Sequence, residues 1–337
     1  MQGAELRFPS HLTLEAGQPG HLDTAFEDMA HGRAWQGDPI GSFAAAWDDS
    51  GLHNETFWLG WSAVARWGWN PGTPSPAQHA AEFMKLYYGP NVSGMLDVYR
   101  LMQRQARAWE FTWDRIPSKA ITHRYGGYFG KGLSTQRVDM TLQLPLINDL
   151  PDWFPDPFWA DRYKGWLADA RERTVENDRL IGLLQANIGR ASRNQYNLEV
   201  FLALARFMGH HWQMFLDLEK AENQLKDAQS VGLSGTPRET LDRLAAAYAT
   251  VKGIRDDGRS VFINLQTVFE KSRYEKGRSF GGRDFVHVFD DVKDHFADRR
   301  PDLGYMAAPE ESAGLDAWLD ELSRTMEVYA RLNGLKH

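Results

Sequence analysis

Apolar residues recur at helical spacing through most of this chain, and the exceptions cluster near its start. Between His21 and Gly32, Leu22, Ala25, Phe26 and Met29 fall on one side of a helix. Gly37-Asp38-Pro39 breaks the pattern, and the apolar run Ile40 to Ala46 reads as a short buried strand. It ends in Trp47-Asp48-Asp49, and a loop leads to a second helix over Thr56 to Trp69, stopped by Asn70-Pro71-Gly72. Helix, strand, helix is the repeating order of an α/β protein.

From Ser75 onward the pattern is almost wholly helical. Ser75-Pro76 opens a helix running to Tyr88, where Gly89-Pro90 ends it; another follows from Ser93 to Trp113. Residues 117 to 157 are irregular and rich in Gly, Pro and aromatics, with one extended run at Val138 to Leu144. Long helices are predicted over Phe158 to Ile188 and Asn194 to Asp227. A third begins at Thr236-Pro237-Arg238-Glu239, breaks at Gly258 and resumes to Tyr274. Pro309-Glu310-Glu311 opens a last helix that ends at Asn333-Gly334. The spacing is amphipathic rather than heptad, which predicts a globular bundle and not a coiled coil. The expected fold is therefore mainly α: a short α/β segment followed by a large helical bundle. The expected domains are residues 1–75, a helical and irregular linker region 76–157, and the bundle 158–337.

Composition narrows the function. A net charge of −7 and a pI near 5.9 argue against nucleic-acid binding as the main task, because phosphate recognition needs a basic footprint. No run of 18 apolar residues is present, so no membrane span is expected, and the polar start lacks the features of a signal peptide. A soluble protein is expected. The chain has no Cys, which removes disulfide and thiol chemistry. It has 13 Trp, about half of them between Trp35 and Trp69. Trp marks large cores or aromatic binding surfaces.

The candidate site follows the predicted strand. Trp47 offers a flat face for a pyranose, Asp48 and Asp49 offer acceptors for its hydroxyls, and His53 lies in the same loop. Each also has a plainer reading: a core aromatic, a turn pair bonded to local backbone, an exposed loop His. Other polar groupings carry less weight. His210-His211 reads as a helix pair, and His287, Asp290, Asp291 and His295 share helical spacing without a defined metal motif. Tyr125 to Gly130 is Gly-rich but lacks the phosphate-loop Lys, and Ser279 to Asp284 is a similar loop. Asn91-Val92-Ser93 fits the short glycosylation pattern. No metal or cofactor is expected.

The segment Gly41 to Asp49, with Glu55 to Trp69 after it, resembles the last strand and last helix of the barrel in family 20 glycoside hydrolases, the β-N-acetylhexosaminidases. That family ends its barrel with a strand of the form Gly-x-x-x-x-x-Trp-x-Glu. Trp47 matches the strand-end Trp that walls the sugar pocket. Asp49 matches the acidic residue that binds sugar hydroxyls, with Asp in place of the usual Glu and a reach one methylene shorter. Trp58, Ala63, Ala65 and Trp67 resemble the packing side of the final barrel helix. The resemblance covers residues 20 to 90 and implies an N-acetylhexosamine-containing ligand. The family's catalytic Asp-Glu pair, which works with the substrate acetamido group as nucleophile, has no counterpart here, and a full barrel needs about 250 residues. The resemblance therefore implies the carboxyl-terminal part of such an enzyme, with little or no hydrolysis alone. It implies a homo-oligomer or a complementing barrel half as protein partner. The alternative expectation is a non-catalytic helical protein that binds carbohydrate or another protein.

Overall fold

The computed structural model describes residues 4–5, 22, 26–27, 29–32, 34, 44–45, 55, 58–112, 144–145, 147, 158–272, 279–280, 283–284 and 314–335. Among these the protein is mainly helical. Two short strands, β1 (Ala4–Glu5) and β2 (Ala44–Ala45), pair in parallel, with Ala4 opposite Ala44 and Glu5 opposite Ala45. A tight hairpin cannot join parallel strands; a crossover is required. Helical residues between Leu22 and Ala34 lie in that crossover, with Leu22 buried and the Phe26 ring edge-on to Trp67 at 5.3 Å. The strand expected over Ile40 to Ala46 is described only at Ala44–Ala45.

Helix α1 (Trp58–Trp69) buries Leu59, Gly60, Ala63, Val64 and Trp67, one stripe at helical spacing. The Trp67 indole N–H donates to the Pro74 carbonyl at 2.9 Å, so a fully buried ring keeps its donor satisfied. The expected packing side is corrected here. Ala63 and Trp67 belong to it, but Ala65 is exposed and Trp58 is 49% exposed. Eleven residues make three turns of a helix plus about 20°, so Trp58 shares an outward line with Trp69, which is 92% exposed.

Helix α2 (Pro76–Tyr88) starts as its sequence predicts. Ser75 caps it, Gln78 bonds back to complete a capping box, and Pro76 occupies the first turn. It stops at Gly89, whose φ of 101° lies in the left-handed region. A Cβ there would run into the Ser192 side chain. Helix α3 (Met95–Thr112) follows, and the Tyr88 and Tyr99 hydroxyls meet at 2.7 Å in the core.

Among the described residues, four further helices follow: α4 (Trp159–Arg162), α5 (Lys164–Ile188), α6 (Gln195–Ser234) and α7 (Pro237–Glu270). Two-residue strands β3 (Ser279–Phe280) and β4 (Arg283–Asp284) pair antiparallel, and α8 (Leu315–Leu332) closes the described chain. Several predicted boundaries shift. The helix expected from Phe158 is divided at Tyr163, and α6 runs past Asp227 to Ser234. Helix α7 is unbroken at Gly258, which is buried within it; an interior Gly costs roughly 1 kcal/mol against Ala and lowers helix stability without ending the helix. Helix α8 opens at Leu315 rather than Pro309, because Gly314 has φ 78°, which no α-helix can pass through.

The chain divides into two compact units built from discontinuous segments. The first comprises residues 1–114, 176–208 and 264–306. In it, Asn187 reads the main chain of Ser93 as a strand neighbour would: its Oδ1 accepts from the Ser93 N–H and its Nδ2 donates to the Ser93 carbonyl, both at 2.8 Å. Arg179 pairs with Asp97, and Arg104 with Glu176 at 2.5 Å. The second unit comprises residues 115–175, 209–263 and 307–337. Its interior holds Trp159, Tyr163, Trp212 and Phe215, and the half-buried Trp166 meets Phe215 edge-on at 5.5 Å. The buried Trp318 donates its indole N–H to the Pro145 carbonyl at 2.7 Å, and Arg255 and Arg259 of α7 both hold Asp316 of α8.

Candidate functional site

The residues predicted for sugar binding, Trp47, Asp48, Asp49 and His53, lie outside the described residues. What is described is the chain on either side of them: β2, which ends at Ala45, and Glu55, followed by Trp58 at the start of α1. Around Glu55 the first unit assembles a polar cluster from distant parts of the sequence.

Asn197, in the first turn of α6 and 5% exposed, is its centre. Its side-chain N–H₂ donates to the Glu55 main-chain carbonyl at 2.8 Å and to the Tyr87 hydroxyl oxygen at 3.0 Å. Asn194, just before α6, adopts φ 49°, a conformation Asn tolerates better than most residues, and donates to the Tyr87 carbonyl. Two bonds thus hold Tyr87, one to its side chain and one to its backbone. The Glu55 carboxylate accepts from the Ser272 hydroxyl at 3.2 Å. Ser272 is in turn 2.9 Å from the Tyr196 hydroxyl, which donates to the Val268 carbonyl. Lys271 and Glu199 pair beside this chain of bonds at 2.6 Å.

An aromatic row adjoins the polar cluster. Tyr87 stacks on Phe83 at 4.8 Å and 15°, stands edge-on to Tyr88 at 5.0 Å, and lies 6.4 Å from Trp58 with the rings tilted by 31°. Burial pushes the Tyr87 phenol up to about 12; the Asn197 bond works against this and the Glu55 charge adds to it. The Tyr88 phenol is held well above its usual value, by burial first and then by Tyr99, and burial raises Tyr99 as well. All three hydroxyls are therefore neutral donors and acceptors at pH 7, and none is a base.

Sequence reasoning placed Trp58 in the core and passed over Glu55, Tyr87, Asn197 and Ser272. The only local signal was periodic: Trp58 and Trp69 cannot face the same side as Trp67. Nothing in a single sequence joins positions 55, 197 and 272.

The other candidates yield less. His210 and His211 stand edge-on in α6 at 5.5 Å, a helix pair as expected, and the described residues hold no group of three or more metal-binding side chains. His287, Asp290, Asp291 and His295 lie outside the described residues, as does the Gly-rich stretch Tyr125 to Gly130. In the second unit, Glu222 is fully buried; its Oε1 accepts from Lys226 at 2.8 Å and from the Ala160 N–H at 3.4 Å. Its Oε2 is buried too and has no hydrogen-bond partner among the described residues. No described helix is long and apolar enough to cross a membrane.

No family model matches the chain, and comparisons with curated proteins and with solved structures gave no match.

Proposed function

We propose that this chain is the carboxyl-terminal part of a β-N-acetylhexosaminidase-like glycoside hydrolase acting on terminal N-acetylhexosamine residues. It supplies one wall of the sugar pocket and does not hydrolyse alone. The observation that carries this reading is the parallel pairing of β1 with β2. Helical residues lie between the two strands and α1 follows them, which gives the order strand, helix, strand, helix. That order with parallel pairing is the unit from which (β/α)8 barrels are built. Barrel enzymes work at the carboxyl ends of their strands, and Trp47, Asp48 and Asp49 follow the carboxyl end of β2 in sequence. In this reading Trp47 stacks on the pyranose, the two carboxylates accept from its hydroxyls, and His53 borders the ring. The catalytic acid and the acetamido-orienting carboxylate come from a complementing barrel half. No metal or cofactor takes part.

Two assays test this. Calorimetry with N-acetylglucosamine should show millimolar binding that Trp47→Ala removes, and the chain should not cleave a chromogenic N-acetyl-β-glucosaminide. Turnover by the chain alone, or binding indifferent to Trp47, sinks the reading. A second reading, a helical protein that binds a protein partner, draws on one observation: the outward line of α1 from Trp58 to Trp69 carries large apolar rings and only one charge lies in the whole helix, at Arg66. A 1:1 complex that Trp69→Ser abolishes while sugar binding is absent would favour it.

A further inference from the structure

We infer that a buried water molecule binds between Gln103 of α3 and Asn177 of α5, beside Ala205 of α6, and bridges the two amide side chains.

The side chains themselves call for such a ligand. Gln103 and Asn177 are each 2% exposed. Among the described residues, neither the Oε1 and Nε2 of Gln103 nor the Oδ1 of Asn177 has a hydrogen-bond partner. Leaving a buried polar group unpaired costs at least as much as a lost hydrogen bond, so native proteins keep few of them. Both amide atoms of one glutamine and a carbonyl of a neighbouring asparagine make a set that a water can satisfy.

Contacts within the first unit bring the two residues to one level. Asn187 bonds the main chain of Ser93, Arg179 pairs with Asp97, and Arg104 pairs with Glu176, so α5 runs antiparallel to α3. Gln103 precedes Arg104 and Asn177 follows Glu176, each by one position. One position turns a helical side chain by about 100°, and here it leads from a surface ion pair to two buried amides. Helix α6 supplies the third side. The Asn177 side-chain N–H₂ donates to the Ala205 carbonyl at 3.0 Å, across the antiparallel pair that α5 and α6 form. Helix α6 therefore runs parallel to α3, and Tyr99 meets Phe201 edge-on at 5.4 Å. One turn further along each of these helices stand Gln103 and Ala205.

The count of donors and acceptors selects water. The bond to Ala205 fixes which way the Asn177 amide faces and leaves its Oδ1 as an acceptor. Gln103 offers one acceptor and one donor group whichever way its own amide is turned. A water donates to the two oxygens and accepts from the Gln103 N–H₂, and about three bonds is the usual number for a buried water. An anion would face two carbonyl oxygens, and a metal cation would face the N–H₂ group, so neither fits. A direct Gln103–Asn177 bond would leave the Gln103 oxygen unpaired. The bridge also favours one alignment of the helices: sliding α3 by a turn moves Gln103 toward the level of Leu180, which offers it no bond.

Magnetic relaxation dispersion of the water nuclei, measured on the full chain and on Gln103→Met, tests this. Methionine keeps an unbranched side chain of similar length and removes both polar atoms. The variant should lose the dispersion amplitude of one long-lived water. Its unfolding constant, read from urea titration, should rise about fivefold, the net worth of one hydrogen bond. Unchanged amplitude in the folded variant overturns the inference, and with a lowered urea midpoint it assigns a direct side-chain bond instead. A raised midpoint also overturns it, because relief on removing the amide would mean that the native amide is unpaired. If Gln103→Met loses its native circular dichroism, the native protein decides. Its isotope-labelled Gln103 side-chain amide should show a cross-peak to water, and absence of that peak overturns the inference.

Discussion

Replacing Asn197 with Ala should cost the protein about 2–3 kcal/mol. The side chain is buried, and one amide nitrogen serves two acceptors, the Glu55 carbonyl at 2.8 Å and the Tyr87 hydroxyl at 3.0 Å. A buried hydrogen bond contributes about 1 kcal/mol net, and an acceptor left without its donor adds about 1 kcal/mol or more. Only the two parts together reach the stated range, because the truncated volume is small. Urea unfolding at pH 7 is the assay, with a constant m-value required before midpoints are converted. Tyr87→Phe removes one of the two bonds and should cost about 1 kcal/mol. In the double variant the losses should fall short of their sum by about 1 kcal/mol, the coupling that a direct bond produces. Asn197→Asp keeps the shape but faces a carboxylate toward the Glu55 carbonyl, so it should be at least as damaging as Ala. A loss below about 0.5 kcal/mol for Asn197→Ala, or strict additivity with Tyr87→Phe, would refute the claim that Asn197 ties these segments together.

Three other outcomes follow from the same geometry. Gly89→Ala should destabilise by roughly 1–3 kcal/mol, because φ 101° strains an L-residue and the new methyl meets Ser192; an unchanged thermal midpoint would contradict the close approach. Tyr87, Tyr88 and Tyr99 all have folded-state phenols held above their unfolded value of about 10. The stability they confer is complete below that pH and is lost as pH rises toward 12 and beyond, so tyrosinate absorbance should appear together with unfolding rather than before it. His79 is shifted the other way, lowered by burial first and then by the Arg66 guanidinium, against a smaller opposing pull from Glu82. Its contribution is present above about 6.5 and is lost as pH falls below that value. His79→Gln should flatten the thermal midpoint between pH 6.5 and 5, and a slope identical to the native protein's would exclude His79 as its source.

The helices were legible wherever a local rule defines them. Ser75 with Gln78, and Thr236 with Glu239, are capping boxes that can be read from four consecutive residues, and both form. The reading failed where packing outweighs local preference. Gly258 resembles a breaker until its burial is known, and Gly314 shows its stopping role only through its φ. The α1 stripe was recoverable in principle, since helical phase alone separates Trp67 from Trp58 and Trp69. The polar cluster was not. Asn197 lies 142 positions from Glu55, and Ser272 lies 217 from it, so no spacing pattern links them. A single sequence records which residues are able to bond but not which distant ones the fold brings within reach.

The discontinuity of the first unit has a consequence for how the protein is made. Its opening segment, residues 1–114, shares a compact body with residues 176–208 and 264–306. At the usual rate of about 5–20 residues per second, the interval between translation of residue 114 and of residue 264 is about 8–30 s. The bonds of Asn187 and Asn197 can form only from about the middle of that interval, and those of Ser272 only after it. A ribosome-bound intermediate in which Tyr99 lacks its Phe201 neighbour, and the Tyr88 carbonyl lacks the Ser192 N–H, is thus built into the order of the gene. Its escape from aggregation depends on translation speed and chaperone capture as much as on the stability of the finished fold.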